Sequence, residues 1–156
     1  MRNINKALFS SKSDDWATPA PFFDRLNTEF NFTLDPCASD SNAKCPYYFT
    51  KDDDGLSKSW EGERVFMNPP YGKEISKWIR KAYEEAQAGA LVVALMPART
   101  DTRYWHDYVM KAAEIRLVKG RLKFGNSRDS APFPSAVVIW RKGHEGMPKL
   151  NVMEAY

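Results

Sequence analysis

The chain has few of the residues that build metal centres and disulfide frameworks: two cysteines and two histidines in 156 residues. Cys37 and Cys45 lack the tight paired spacing of a zinc site, and only His106 and His144 could join them, so no metal is expected. Asp52-Asp53-Asp54 meets a glycine at once and has no closing acid for a calcium loop. A disulfide would need an oxidising compartment, so two reduced thiols are expected. No apolar run approaches the ~20 residues that span a bilayer. Met1-Arg2-Asn3-Ile4-Asn5 has no apolar signal-peptide core. These absences point to a cytoplasmic protein with no membrane partner. Internal repeats and low-complexity segments are also missing, which excludes a solenoid.

What remains suits one globular domain. Hydrophobic residues make up 43% of the chain and aromatics 13%, enough for a single core at this length. Residues 1–15 are polar and expected to be mobile, leaving 16–156 as the domain. Net charge is only +3, yet between Arg99 and Lys142 ten Lys and Arg stand against four acids. A basic C-terminal half suits a polyanionic partner, although a solvated surface has the same composition.

Periodicity sets the expected order of elements. Thr18-Pro19 reads as an N-cap followed by proline at the first helical position, opening a helix through Phe22, Phe23 and Leu26 to about Thr28. Asn31 to Leu34, Tyr47 to Phe49 and Arg64 to Met67 read as short strands. Glu74 to Ala88 has apolar residues at helical spacing, with Gly89 as its stop. Ala90 to Met96 reads as a central strand covered on both faces. A second helix is expected to carry Tyr104, Trp105, Tyr108, Val109 and Ala112 on one face. Glu114–Val118, Arg121–Phe124 and Ala136–Trp140 complete the strands. Such alternation predicts an α/β fold with a largely parallel sheet, whose strand ends at Asp35 and Asn68 face one crevice.

One strand end has unusual chemistry. Val65-Phe66-Met67 runs into Asn68-Pro69-Pro70-Tyr71. The Asn68 amide oxygen and the Pro69 carbonyl can both accept hydrogens from one exocyclic amine. The prolines fix φ at about −65° and remove two backbone donors. Tyr71 offers a face for a planar substrate. The same residues would also make a rigid turn with a half-buried tyrosine.

Together with its neighbours, this tetrapeptide resembles the catalytic motif of phage-type DNA N6-adenine methyltransferases, in the gamma motif order. Trp16-Ala17-Thr18-Pro19 resembles the N-terminal cofactor motif of that arrangement. Leu34-Asp35-Pro36-Cys37-Ala38 resembles the first cofactor loop, although Ser39-Asp40-Ser41-Asn42 replaces its usual glycines. Asp54-Gly55-Leu56, followed by Trp60, resembles the acidic motif that meets the cofactor's adenine. The usual acid after the second strand has no counterpart between Cys45 and Thr50.

The resemblance implies a Rossmann-like methyltransferase fold with helices on both faces and a C-terminal antiparallel strand. It implies S-adenosylmethionine as cofactor and DNA as partner, in the host cytoplasm if the gene is phage-borne. Trp16, Thr18, Pro19, Asp35, Pro36, Cys37, Ala38, Asp54, Leu56 and Asn68 would contact the cofactor. Thr18 also reads as a simple helix cap, Asp35 as a turn cap, and Asp52 or Asp53 as substitutes for Asp54. Asn68, Pro69, Pro70 and Tyr71 would be catalytic. Tyr71, with Phe124 or Phe133, would sandwich a base, and Arg121, Lys123 and Arg128 would meet phosphates; both phenylalanines also suit the core. Cytosine N4, RNA and protein glutamine remain alternative acceptors, and a non-catalytic DNA-binding relative an alternative class.

Overall fold

A computed structural model describes residues 17–125 and 128–156. The expected mobile segment 1–15 and Trp16 lie outside the described residues. The first helix, α1, runs Ala20–Phe30 and buries Phe22, Phe23, Leu26 and Phe30. Asn31 closes it in the left-handed conformation at φ 53°, which asparagine tolerates, and donates its backbone N–H to Asn27 O. The residue at its N-cap is Pro19, and no side chain caps the helix. Thr18 therefore does not fill its expected capping role.

Strands β1 (Leu34–Asp35), β2 (Tyr47–Tyr48), β3 (Arg64–Met67), β4 (Leu91–Pro97), β5 (Glu114–Lys119), β6 (Ser135–Trp140) and β7 (Lys149–Glu154) form one seven-stranded sheet of order β2-β1-β3-β4-β6-β5-β7. The β2/β1, β1/β3, β3/β4 and β5/β7 pairs are parallel, whereas β6 runs antiparallel to both β4 and β5. The sheet is thus mixed and mostly parallel. An antiparallel strand is present as expected, but it is not C-terminal: β7 follows β6 and returns parallel to β5 at the edge.

Side-chain alternation sends the two faces to two cores. Val65, Met67, Val92, Ala94, Met96, Ala136, Val138 and Trp140 pack with Ile75, Ile79, Ala82 and Ala86 of α2 (Ile75–Gln87). Phe66, Val93, Leu95, Val137 and Ile139 pack on the other face with the apolar side of α1. Helices therefore cover both faces. Arg116 of β5 ties the second layer together, bonding Glu29 of α1 at 2.6 Å and Glu114 at 2.7 Å.

Two expected elements differ. The single helix expected after β4 is instead a short α3 (Arg103–Asp107) followed by a 3₁₀ turn at Val109–Lys111. The break falls at Tyr108, whose carbonyl accepts from Trp140 Nε1 at 2.9 Å. Arg121–Phe124 is irregular: Leu122 and Phe124 are buried, but its backbone bonds to a side chain and a loop and not to a neighbouring strand. The Lys123 N–H goes to the Tyr156 hydroxyl, and the Leu122 carbonyl accepts from Ala131 N–H. Alternation there reflects burial without a ladder.

Candidate active site

Neighbouring parallel strands β1 and β3 deliver Asp35 and Asn68 to the same end of the sheet, since Leu34 pairs with Val65. This is the end at which α/β sheets collect ligands. Beyond β1 the chain folds back on the Asp35 carboxylate. One oxygen accepts from Cys37 N–H at 3.2 Å and the other from Lys44 N–H at 3.1 Å. The Asp35 carbonyl receives Phe49 N–H and the Phe49 carbonyl receives Ala38 N–H, so the loop carrying Pro36, Cys37 and Ala38 is fastened to the end of β2. Asp35 is only 5% exposed, and burial pushes its pKa up to about 6 despite the two backbone donors. Burial also raises the Cys37 and Cys45 thiols, Cys45 to about 12, so neither is a ready thiolate.

The acidic motif docks on this loop. A Cβ on Gly55 would stand 2.4 Å from the Pro36 carbonyl oxygen and 3.2 Å from the Trp78 ring, so only glycine permits the approach. The Gly55 carbonyl is fixed by Trp60 Nε1 at 3.1 Å, and the fully buried Trp60 ring lies 6.3 Å from Trp78 at 19°. Leu56 packs against the same core. Asp54 is exposed and left-handed at φ 56°; its carbonyl holds Ser57, while its carboxylate has no hydrogen bond among the described residues. Asp53, also exposed, turns back on its own loop, with one oxygen accepting from the Thr50 N–H and hydroxyl. Asp53 is therefore committed to the turn just past β2, and Asp52 and Asp54 are the exposed acids beside it.

At the end of β3 the Asn68 amide is held on both sides. Its Nδ2 donates to Thr18 Oγ1 at 3.0 Å, and its Oδ1 accepts from the Tyr71 hydroxyl at 2.9 Å. Thr18 is 4% exposed, so this bond crosses fifty residues of sequence in a dry setting. Pro69 is buried and Pro70 exposed. The Tyr71 ring meets Phe133 at 5.4 Å and 83° and Phe124 at 6.3 Å and 89°, both edge to face. Phe124 and Phe133 are thus walls of one aromatic cluster and members of the α1-side core at once. They are not set parallel to Tyr71 as the two faces of a sandwich.

Of the three expected phosphate contacts, Arg121 is exposed and donates to the Ala131 carbonyl at 3.1 Å, and Lys123 and Arg128 are exposed. Arg99, just past the end of β4, holds its guanidinium 5.8 Å from the Phe133 ring centre. Sequence reasoning assigns Arg99 no individual role, although its place after a buried strand ending in proline is a signal.

The chain is similar to known proteins over most of its length. The family described as DNA N-6-adenine-methyltransferase (Dam) matches residues 5–153, nearly the whole chain. This chain belongs to that family. It is similar to the DNA N-6-adenine-methyltransferase of Haemophilus phage HP1, at 31% identity over 75% of the chain and 69% of that protein. A second relative, the DNA N-6-adenine-methyltransferase of Escherichia phage T1, is 27% identical over 70% of the chain and 46% of its own length. Among the described residues of this Dam-family protein, no cluster of three or more His, Cys, Asp or Glu is arranged to hold a metal ion. Nor is any described helix long and apolar enough to cross a membrane.

Asp35 gives a pH signature for this Dam-family site. Its native pKa of about 6 lies above the ordinary 3.8, so between those values the folded protein holds a proton that the unfolded chain has released. Stability from this group is therefore greatest below pH 4, falls as pH rises to about 6, and is level above. Asp35→Asn should remove a decline of the order of 2–3 kcal/mol from that window. Urea unfolding of both proteins from pH 4 to 7 measures it; parallel curves would mean that Asp35 titrates normally.

Proposed function

We propose that this chain transfers a methyl group from S-adenosylmethionine to the exocyclic N6 of an adenine extruded from DNA, using Asn68, Pro69, Pro70 and Tyr71 as the catalytic segment. The carrying observation is the orientation of the Asn68 amide. With Nδ2 committed to Thr18, the oxygen is the end turned towards Tyr71. An amide oxygen accepts two hydrogen bonds, so Asn68 can take an amine hydrogen beside or in place of the Tyr71 hydroxyl. The Pro69 carbonyl takes the other hydrogen. The nitrogen lone pair then points away from both acceptors, and catalysis is mainly positioning and electrostatics.

The cofactor supplies an electrophilic methyl on a cationic sulfonium. The donor set here fits such a group. Asp35 is buried with lone pairs beyond the two it uses, and the outward carboxylate of Asp54 stands on a loop packed against Pro36. A cation beside Asp35 offsets the cost of its burial and favours its ionised form. Leu56, Pro36, Cys37 and Ala38 supply apolar and backbone surface, and Thr18 and Pro19 close the side towards α1. Bound beside that nitrogen, S-adenosylmethionine would supply its methyl with the carbon–sulfur bonding pair staying on sulfur, and the surplus amine proton would pass to water.

Extruding a base costs a few kcal/mol, and stacking on an aromatic ring returns ~1–3 kcal/mol. Tyr71 provides that face by turning from its edge-on packing with Phe124 and Phe133. Arg99, Arg121, Lys123 and Arg128 lie on the side where the DNA backbone would pass. The mostly parallel sheet with β6 inserted antiparallel supports a Rossmann-like methyltransferase fold, with 16–156 as its single domain. The enzyme would act in the cytoplasm, where its DNA lies.

Asn68→Ala should abolish methyl transfer while leaving the dissociation constant for S-adenosylmethionine within about threefold, because the lost interaction belongs to the reacting amine. Calorimetry and a methyl-incorporation assay offered DNA, RNA and protein side by side read both effects. Near wild-type activity in this variant would sink the proposed role. Neutralising Arg121, Lys123 and Arg128 together should weaken binding equally on methylated-site and random duplexes. It should also lower the salt slope by about one per lost phosphate contact. Unchanged slopes would take this face away from DNA.

A further inference from the structure

Two buried side-chain hydroxyls have no hydrogen-bond partner among the described residues, those of Tyr104 and Ser135. Tyr104 belongs to the α2-side core, where the nearby Thr102 hydroxyl is committed to Arg99 O and Trp105 N–H. Ser135 is the more informative. It opens β6, is 3% exposed, and pairs with Pro97 at the end of β4. Because β6 runs antiparallel, its first residue lies at the same end of the sheet as the last residues of β3 and β4.

The register also fixes which face Ser135 occupies. Val137 and Ile139 pack in the α1-side core with Phe66, Val93 and Leu95. Ser135 is two residues before Val137, and Asn68 two after Phe66, so strand alternation puts both on that face. Met67 pairs with Ala94, which sets Asn68 beside Leu95, and Leu95 pairs with Val137. Asn68 and Ser135 are therefore two strands apart and two residues out of level, roughly 12 Å between backbones by interstrand spacing and rise per residue. Side chains reaching inward from both positions shorten that to about 8 Å, a span that an amine and the ring nitrogen beside it can bridge with one hydrogen bond each. The wall between them is aromatic, since the Phe133 ring, two residues before Ser135, touches Tyr71 at 5.4 Å. Ala98 N–H holds the Pro134 carbonyl at 2.9 Å, fixing the approach to Ser135 against the end of β4.

A buried hydroxyl with no partner is costly to maintain, and alanine would fill the same space without that cost. Adenine carries acceptor nitrogens on either side of its amine, N1 and N7, and a serine hydroxyl can donate to either. We propose that Ser135 Oγ donates a hydrogen bond to a ring nitrogen of the target adenine whose amine lies against Asn68, making Ser135 a base-contacting residue that fixes the ring's orientation. This rests on the reading of the chain as an adenine methyltransferase of DNA.

The test compares wild type with Ser135→Ala on short duplexes carrying a site that the wild-type protein methylates. The target base is adenine, 7-deazaadenine or 1-deazaadenine. On adenine the variant should lose about tenfold in kcat/KM. That deficit should vanish on the analogue lacking the contacted nitrogen, where wild type and variant become equal. Without ligand, the Tm of the variant should be no lower than that of wild type, since no internal bond is removed. Equal activity on adenine overturns the inference, as does a deficit that persists on both analogues or a clear fall in Tm. A wild-type protein that methylates no adenine in DNA would instead remove the functional reading beneath it.

Discussion

The bond between Thr18 and Asn68 orders the end of the sheet where β3 stops. An amide side chain at a strand end can present either its NH₂ or its oxygen to a ligand, and the two ends recognise opposite partners. A buried hydroxyl just ahead of α1 decides the matter by accepting from Nδ2. Asn68 then presents its oxygen, Tyr71 is drawn to it, and the Tyr71 ring lies edge-on to Phe124 and Phe133. Thr18 and the Asn68-Pro69-Pro70-Tyr71 segment are thus one unit although fifty residues separate Thr18 from Asn68.

A second constraint shapes the neighbouring half of the crevice. The loop after β1 closes on the Asp35 carboxylate instead of on glycines, and the acidic loop is pressed against it at Pro36 and Gly55. Burying that carboxylate is unfavourable, as its raised pKa records. Two backbone N–H groups offset part of the cost, and a bound cation would offset more. Under the proposed reading, stability and cofactor affinity would be coupled through this one group.

Much of this is legible in the sequence because local rules and tertiary structure agree. The apolar spacing of Ile75, Trp78, Ile79 and Ala82 marks α2, and the uninterrupted run to Pro97 marks β4, both buried as patterned. Asn68-Pro69-Pro70-Tyr71 is recognisable because few other functions need an amide, two prolines and an aromatic ring at a strand end. Thr18 reads as a cap because Thr-Pro is a strong local signal, whereas its true partner is remote. Arg121–Phe124 alternates as a strand would, but its backbone groups are used by Ala131 and Tyr156. β7 escapes a sequence reading for the opposite reason: at the sheet edge, Leu150 and Val152 are exposed at 64% and 65%, so the segment shows no burial pattern. The approach of Gly55 to Pro36 and the unpartnered Ser135 hydroxyl are products of packing, which a single sequence does not display.

The central claim is that the amine held between Asn68 and Pro69 is the N6 of adenine in DNA. Incubating the purified protein with DNA and S-adenosylmethionine carrying a deuterated methyl group, then digesting to nucleosides for mass spectrometry, addresses it without knowledge of the recognition sequence. The account predicts trideuteromethyl label on N6 of deoxyadenosine and on no other nucleoside. Label on N4 of deoxycytidine, or unlabelled DNA beside labelled RNA or protein, would contradict it.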